Sequence, residues 1–110
     1  MSYQIKGTKI SMTRGDTVRV KFNLKMDGED YLPSADDVVR FAVKARWCEK
    51  EPLLIKQIPS DTMVLQLDPE DTKSLPFGQY WYDVQITFGE SGDVITFIER
   101  AKLRLTEEVE

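Results

Sequence analysis

An all-β fold, read as an immunoglobulin-like antiparallel β-sandwich of about seven strands, is predicted by three features of the chain. Apolar and polar residues alternate with period two in several short runs, most clearly Val18, Val20, Phe22 and Leu24 against Arg19, Lys21 and Asn23. Turn-forming clusters such as Thr13-Arg14-Gly15-Asp16, Asp27-Gly28 and Pro59-Ser60-Asp61 separate these runs at short intervals. The stretch from Leu67 to Phe88 combines both signals. An apolar strand ends there at Asp68-Pro69, a polar corner follows, and Pro76 and Gly78 redirect the chain. A strand then begins with Tyr80, Tyr82, Val84, Ile86 and Phe88 on one face.

Taken in order, Ile5, Ile10 and Met12 predict an edge strand broken near Gly7, followed by the Thr13–Asp16 turn and the alternating strand Thr17–Leu24. Asp27-Gly28 predicts a second turn, with Tyr31-Leu32 as a short paired piece, and Ser34–Asp37 offers caps for one helical turn. From Val38 the pattern places Val39, Phe41, Val43 and Ala45 inward and Arg40, Lys44 and Arg46 outward. A helix over Ala35–Glu51 competes for these residues, but β-branched and aromatic residues at period two fit a pleat better. Leu53–Ile58 and Met63–Leu67 read as the two arms of a hairpin. The last strand, Val94–Thr106, changes its inward set from Val94, Thr96 and Ile98 to Ala101, Leu103 and Leu105. Such a change of parity implies a bulge or bend around Glu99-Arg100. Tyr80, two residues after Gly78 at the start of a strand, resembles the tyrosine corner of β-sandwiches, in which the hydroxyl bonds back to upstream backbone.

With 110 residues, 41% hydrophobic and 31% charged, the chain reads as one soluble domain over 1–110, with Glu107–Glu110 as a frayed acidic end or a linker towards more protein. Met1–Met12 lacks the apolar core of a signal peptide, and no apolar run is long enough to cross a bilayer, so a cytoplasmic chain beginning near Met1 is expected, with no membrane partner. A net charge of −4 argues against nucleic acid as a partner, since that affinity comes largely from cations neutralising phosphates. Cys48 is the only cysteine, which forbids an internal disulfide, and the absence of histidine removes the commonest general base and metal ligand.

No constellation points to catalysis, a metal or another cofactor, and none is expected. Asp27, Glu29 and Asp30, or Asp68, Glu70 and Asp71, lack the ligand spacing of a calcium loop, and read better as solvated turns and caps. Asp36-Asp37 cannot present two carboxylates to one face of a strand, and Cys48 sits among acids that disfavour its thiolate. Arg14-Gly15-Asp16 spells an adhesion tripeptide, but three residues recur by chance and a turn explains them. Trp81, between Tyr80 and Tyr82, must point to the opposite sheet surface, and Trp47 stands where a strand gives way to a charged loop. Both are candidates for partner binding, with Arg40 and Lys44 as cationic neighbours able either to join such a surface or to cover the tryptophans.

In this order the motifs resemble a family of small prophage and tailed-phage structural proteins related to the N-terminal domain of baseplate upper proteins. The likeness is carried by Met12-Thr13-Arg14-Gly15-Asp16-Thr17 leading into an alternating strand, then Val39-x-Phe41-x-Val43, Leu67-x-Pro69-Glu70-Asp71-Thr72 and Gly78-x-Tyr80-x-Tyr82-Asp83-Val84-Gln85. It implies a homo-oligomeric tail or baseplate module that is not an enzyme, meets other tail proteins by protein contacts, is made in the bacterial cytoplasm and is carried in the virion. A stand-alone carbohydrate-binding or adhesion module is the alternative, because sandwiches present aromatics to sugars.

Overall fold

Period-two alternation leaves each strand one apolar face, and the observed architecture is what buries those faces together. A computed structural model describes residues 3–6, 8–26, 28–46 and 48–106. Over these the chain is all-β, with one short helix. The strands are β1 (Tyr3–Lys6), β2 (Lys9–Thr13), β3 (Val18–Lys21), β4 (Leu24–Met26), β5 (Glu29–Tyr31), β6 (Val38–Lys44), β7 (Leu54–Ile58), β8 (Val64–Leu67), β9 (Gly78–Thr87) and β10 (Val94–Thr106), with α1 (Pro69–Lys73) between β8 and β9.

A six-stranded sheet runs in the order β1-β2-β10-β9-β6-β7; β3 pairs with β8, and β4 with β5. All pairs are antiparallel except β2 with β10, which run parallel with Ile10 opposite Leu103. From the six-stranded sheet, Ile10, Leu103, Tyr82, Val84, Phe41 and Val39 enter the core, where Val18, Val20, Leu65 and Leu67 of the β3–β8 pair join them. Phe22 meets Tyr82 edge-on at 6.4 Å and ties the two layers. Full burial of each large aliphatic side chain contributes about 1.5–3 kcal/mol, so this cluster dominates the stability.

Ten strands appear among the described residues where about seven were expected, because single alternating runs break into short pairs. Thr17–Leu24 shows why. Val18, Val20, Phe22 and Leu24 are all buried, yet the ladder to β8 ends at Lys21 and the chain re-pairs from Leu24 with β5. The predicted hairpin of Leu53–Ile58 with Met63–Leu67 does not form: β7 pairs β6, whereas β8 pairs β3. Met63 adopts a positive φ of 54° and its amide donates to Pro59 O at 2.8 Å, so the chain crosses between layers here instead of folding back on itself.

Near Arg100 the expected bulge is present. The β9–β10 register shifts between Thr96 and Ile98 and again between Ile98 and Ala101, and Arg100 has a φ of 53°. Beyond it the inward set Ala101, Leu103 and Leu105 is buried as the alternation requires. Val94 and Thr96, expected inward, are exposed instead. They lie opposite Thr87 and Gln85, which β9 turns away from the core, and the register shift after Thr96 brings Ile98 opposite the buried Val84. The competing helix over Ala35–Glu51 is replaced by β6. The Glu107–Glu110 end lies outside the described residues.

Candidate functional site

Two regions concentrate the polar interactions, and they differ in kind. At the corner before β9, Asp68 N donates to Asp71 Oδ2 at 2.8 Å and Lys56 Nζ reaches Asp71 Oδ2 at 2.9 Å and Asp68 Oδ2 at 3.5 Å. The hydrogen bond to Asp71 raises the Lys56 ammonium above its ordinary value. Asp68 is lowered, first by the Gln66 amide at 2.8 Å and then by Lys56. Fully buried Thr72 accepts from Gly15 N at 2.9 Å. Arg14 donates to Leu75 O at 3.2 Å while its guanidinium lies 4.2 Å from the Phe77 ring centroid. Arg14-Gly15-Asp16 is therefore a structural turn docked on the corner, not an adhesion loop held out to solvent. Tyr80 completes the region: its hydroxyl donates to Pro76 O at 2.6 Å, the upstream bond that defines a tyrosine corner.

Asp37 builds a similar device at the other end of the sheet. Its carboxylate accepts from Tyr31 Oη and Ser34 N at 2.9 Å each and from Gly89 N at 3.1 Å. The bond from Ser34 above all, with those from Gly89 and Tyr31, holds its pKa below the ordinary carboxylate range against the opposing cost of burial. Gly89 cannot be larger, because a Cβ there would sit 2.3 Å from Asp36 O. An open recess of about 700 Å³ beside Asp37 includes Ser34, Asp36 and Glu90. Its best-placed carboxylate is already occupied by three structural donors. The apolar cleft between Phe22, Tyr82 and Ile98 is only about 250 Å³, below the roughly 300–1,000 Å³ usual for a small-molecule site. Tyr82 donates its hydroxyl to Thr8 O there, and burial pushes its pKa up to about 12.

The second region is the outward face of the six-stranded sheet, and three of the four residues singled out from sequence meet on it. β6 exposes Arg40, Ala42 and Lys44 on the side away from the core, and β9 turns Trp81, Asp83 and Gln85 the same way. Register places Lys44 opposite Trp81 and Arg40 opposite Gln85. Trp47, the fourth, lies outside the described residues. Trp81 is half-buried: Lys102 of β10 lies directly opposite it, with Nζ 5.8 Å from the ring centroid. Lys44 pairs with Asp83 at 3.9 Å. The covering of Trp81 is thus partial and comes from Lys102, while Arg40 stays exposed beside Gln85.

Lys102 and Arg104 were missed as members of this face. Their outward orientation is implicit in the alternation after the bulge, since they intervene between Ala101, Leu103 and Leu105. That they stand beside Trp81 and Gln79 depends on the cross-strand register, which two irregularities in β10 conceal. Among the described residues no His, Cys, Asp or Glu cluster is arranged to hold a metal, and no helix is long and apolar enough to cross a membrane. Comparison with protein-family models, curated proteins and solved structures returns no match for this chain.

Proposed function

We propose that the protein is a structural module of a phage or prophage tail, associated with the baseplate, which works through protein–protein contacts in a homo-oligomeric assembly. The carrying observation is the shared outward face. Trp81, Arg40 and Lys44 stand on adjacent strands of a broad sheet surface whose opposite side is the core. A rigid surface of this kind suits docking better than chemistry, because its side chains are held by a fixed ladder and, among the described residues, no cleft on it encloses a reacting group. The finer reading of the fold is an immunoglobulin-like sandwich, supported by the Tyr80–Pro76 bond and by the packing of the β3–β8 pair on the six-stranded sheet.

Two of the segments that carry the resemblance to baseplate upper proteins meet in the fold. The Thr13–Thr17 turn and the Leu67–Thr72 corner are far apart in sequence, yet Gly15 bonds Thr72 and Arg14 bonds Leu75. Motifs that depend on one another in this way are expected to occur together. The carbohydrate alternative requires an aromatic face open to a sugar, and the Lys102 ammonium beside the Trp81 ring weakens it.

Synthesis in the bacterial cytoplasm and incorporation into the virion follow from this reading. Mass spectrometry of purified particles, with affinity capture of neighbouring tail proteins, tests it. The expected result is the chain in particles and at least one tail protein bound to it. Absence from particles together with no tail protein bound would refute it.

A further inference from the structure

On a chain of net charge −4, the outward sheet face has the opposite sign. Lys44 and Lys102 flank Trp81 from the two neighbouring strands, Arg40 stands further along β6, and Arg104 further along β10. Asp83 is the one carboxylate that β6, β9 and the Ala101–Thr106 half of β10 turn outward. It is paired with Lys44, and Arg40 and Arg104 form no ion pair among the described residues. Lys102 and Arg104 are exposed, and Ala42 with the half-exposed Ile55 opposite it on β7 extends the surface with apolar area.

From this charge pattern we infer that the face around Trp81 docks an acidic segment of a partner protein, a conclusion that specifies the partner of the surface on which the proposed function rests. Two copies of this chain cannot meet face to face here, because their cations would oppose one another, so the face serves contact with a different protein and the homo-oligomer of the proposed function forms through other surfaces. A nucleic acid is disfavoured because its charge continues every ~1.7 Å of helix axis, past the basic face and onto an otherwise acidic molecule. An anionic membrane meets the same repulsion over a wider area, and Trp81 is half-buried under Lys102 and so cannot insert. A short acidic segment fits within the patch, pairing Arg40 and Arg104 while its apolar side chains contact Trp81, Ala42 and Ile55.

The test is a fluorescence-anisotropy titration of the full chain with a labelled oligoglutamate peptide carrying interspersed leucines, at low and at physiological salt. Labelled oligothymidylate and phosphatidylserine vesicles serve as comparison probes. The wild type is expected to bind the peptide most tightly, with amide shifts in nitrogen-15 spectra confined to β6, β9 and β10. Lys102→Glu with Arg104→Glu should weaken binding on the order of tenfold or more. Lys21→Glu with Lys73→Glu makes the same change of net charge on other surfaces and should leave most of the affinity. Equal loss in both double variants, no peptide binding at low salt, or tighter binding of either comparison probe would overturn the inference. A tail protein that captures the wild type and the Lys102→Glu/Arg104→Glu chain equally would overturn it while leaving the tail function standing. Peptide binding by a chain absent from particles would do the reverse.

Discussion

The corner before β9 and the outward face of β6 and β9 are built from similar residues and put them to opposite uses. At the corner, Arg14, Lys56, Asp68, Asp71, Thr72 and Tyr80 direct their polar atoms to partners within the chain. On the face, Arg40, Lys102 and Arg104 keep their charges in solvent, and Trp81 is only partly covered. Internally satisfied polar groups stabilise a fold, whereas charges left facing water on a rigid sheet are available to another molecule. The contrast identifies the run from Leu67 to Gly78 as structure and Trp81, two residues after Gln79, as the start of the proposed docking surface.

The largest expected effect breaks the first region. Leu67 is fully buried where β8 enters the corner, so Leu67→Ala should lower the unfolding free energy by about 2–5 kcal/mol. Urea unfolding followed by far-ultraviolet circular dichroism measures it. A loss no larger than that of a surface substitution would remove the corner's structural claim.

Thr72→Val sharpens the same claim at constant volume. The substitution strands the Gly15 amide that Thr72 Oγ1 now accepts, and an unsatisfied buried donor costs about 1–3 kcal/mol. Tyr80→Phe deletes the bond to Pro76 O and should cost less, about 0.5–1.5 kcal/mol. Both are read from the midpoint of urea unfolding, with the slope unchanged.

The corner also shows how far the sequence could be read. Period-two alternation revealed the all-β fold, the inward sets of β3, β6 and β9, the bulge near Arg100 and the Tyr80 corner, because each depends on residues close together in the chain. The Gly15–Thr72 bond joins residues 57 apart, and no local pattern encodes it. The pairing of β8 with β3 instead of β7 escaped for the same reason, since two adjacent apolar runs with a turn between them look like a hairpin wherever their backbones go. The outward orientation of Trp81, Arg40 and Lys44 was legible from alternation within single strands. The contribution of Lys102 required knowing which residue of β10 lies across from Trp81.

Acid should weaken the structural devices without recruiting the face. Hydrogen bonding, led by the Ser34 bond, holds the folded pKa of Asp37 below its ordinary value. Unfolded Asp titrates near about 3.9, so the contribution of this group is fully present above that value and is lost as pH falls through the lower, folded pKa. Asp68 behaves likewise, with its Gln66 and Lys56 partners. Thermal melts should therefore be level from neutral pH to mildly acidic pH and then decline. Asp37→Asn should flatten part of that decline. An identical acid profile in the variant would show that Asp37 is not one of its sources.

The smallest expected effect on stability comes from the face, and its smallness is what separates the two regions. Lys102→Glu with Arg104→Glu removes the Lys102 contact with the Trp81 ring, worth about 0.5–1 kcal/mol at an exposed site, and strands no buried group. Both side chains point away from the core that Leu103 and Leu105 enter, so packing is untouched. The unfolding free energy should fall by about 1 kcal/mol at most, although two cations have become anions. On the proposed reading the pair changes recognition far more than folding, so a large loss of stability in urea would mean that the cations hold the sheet together. The distinction between a corner that builds the molecule and a face that presents it would then fail.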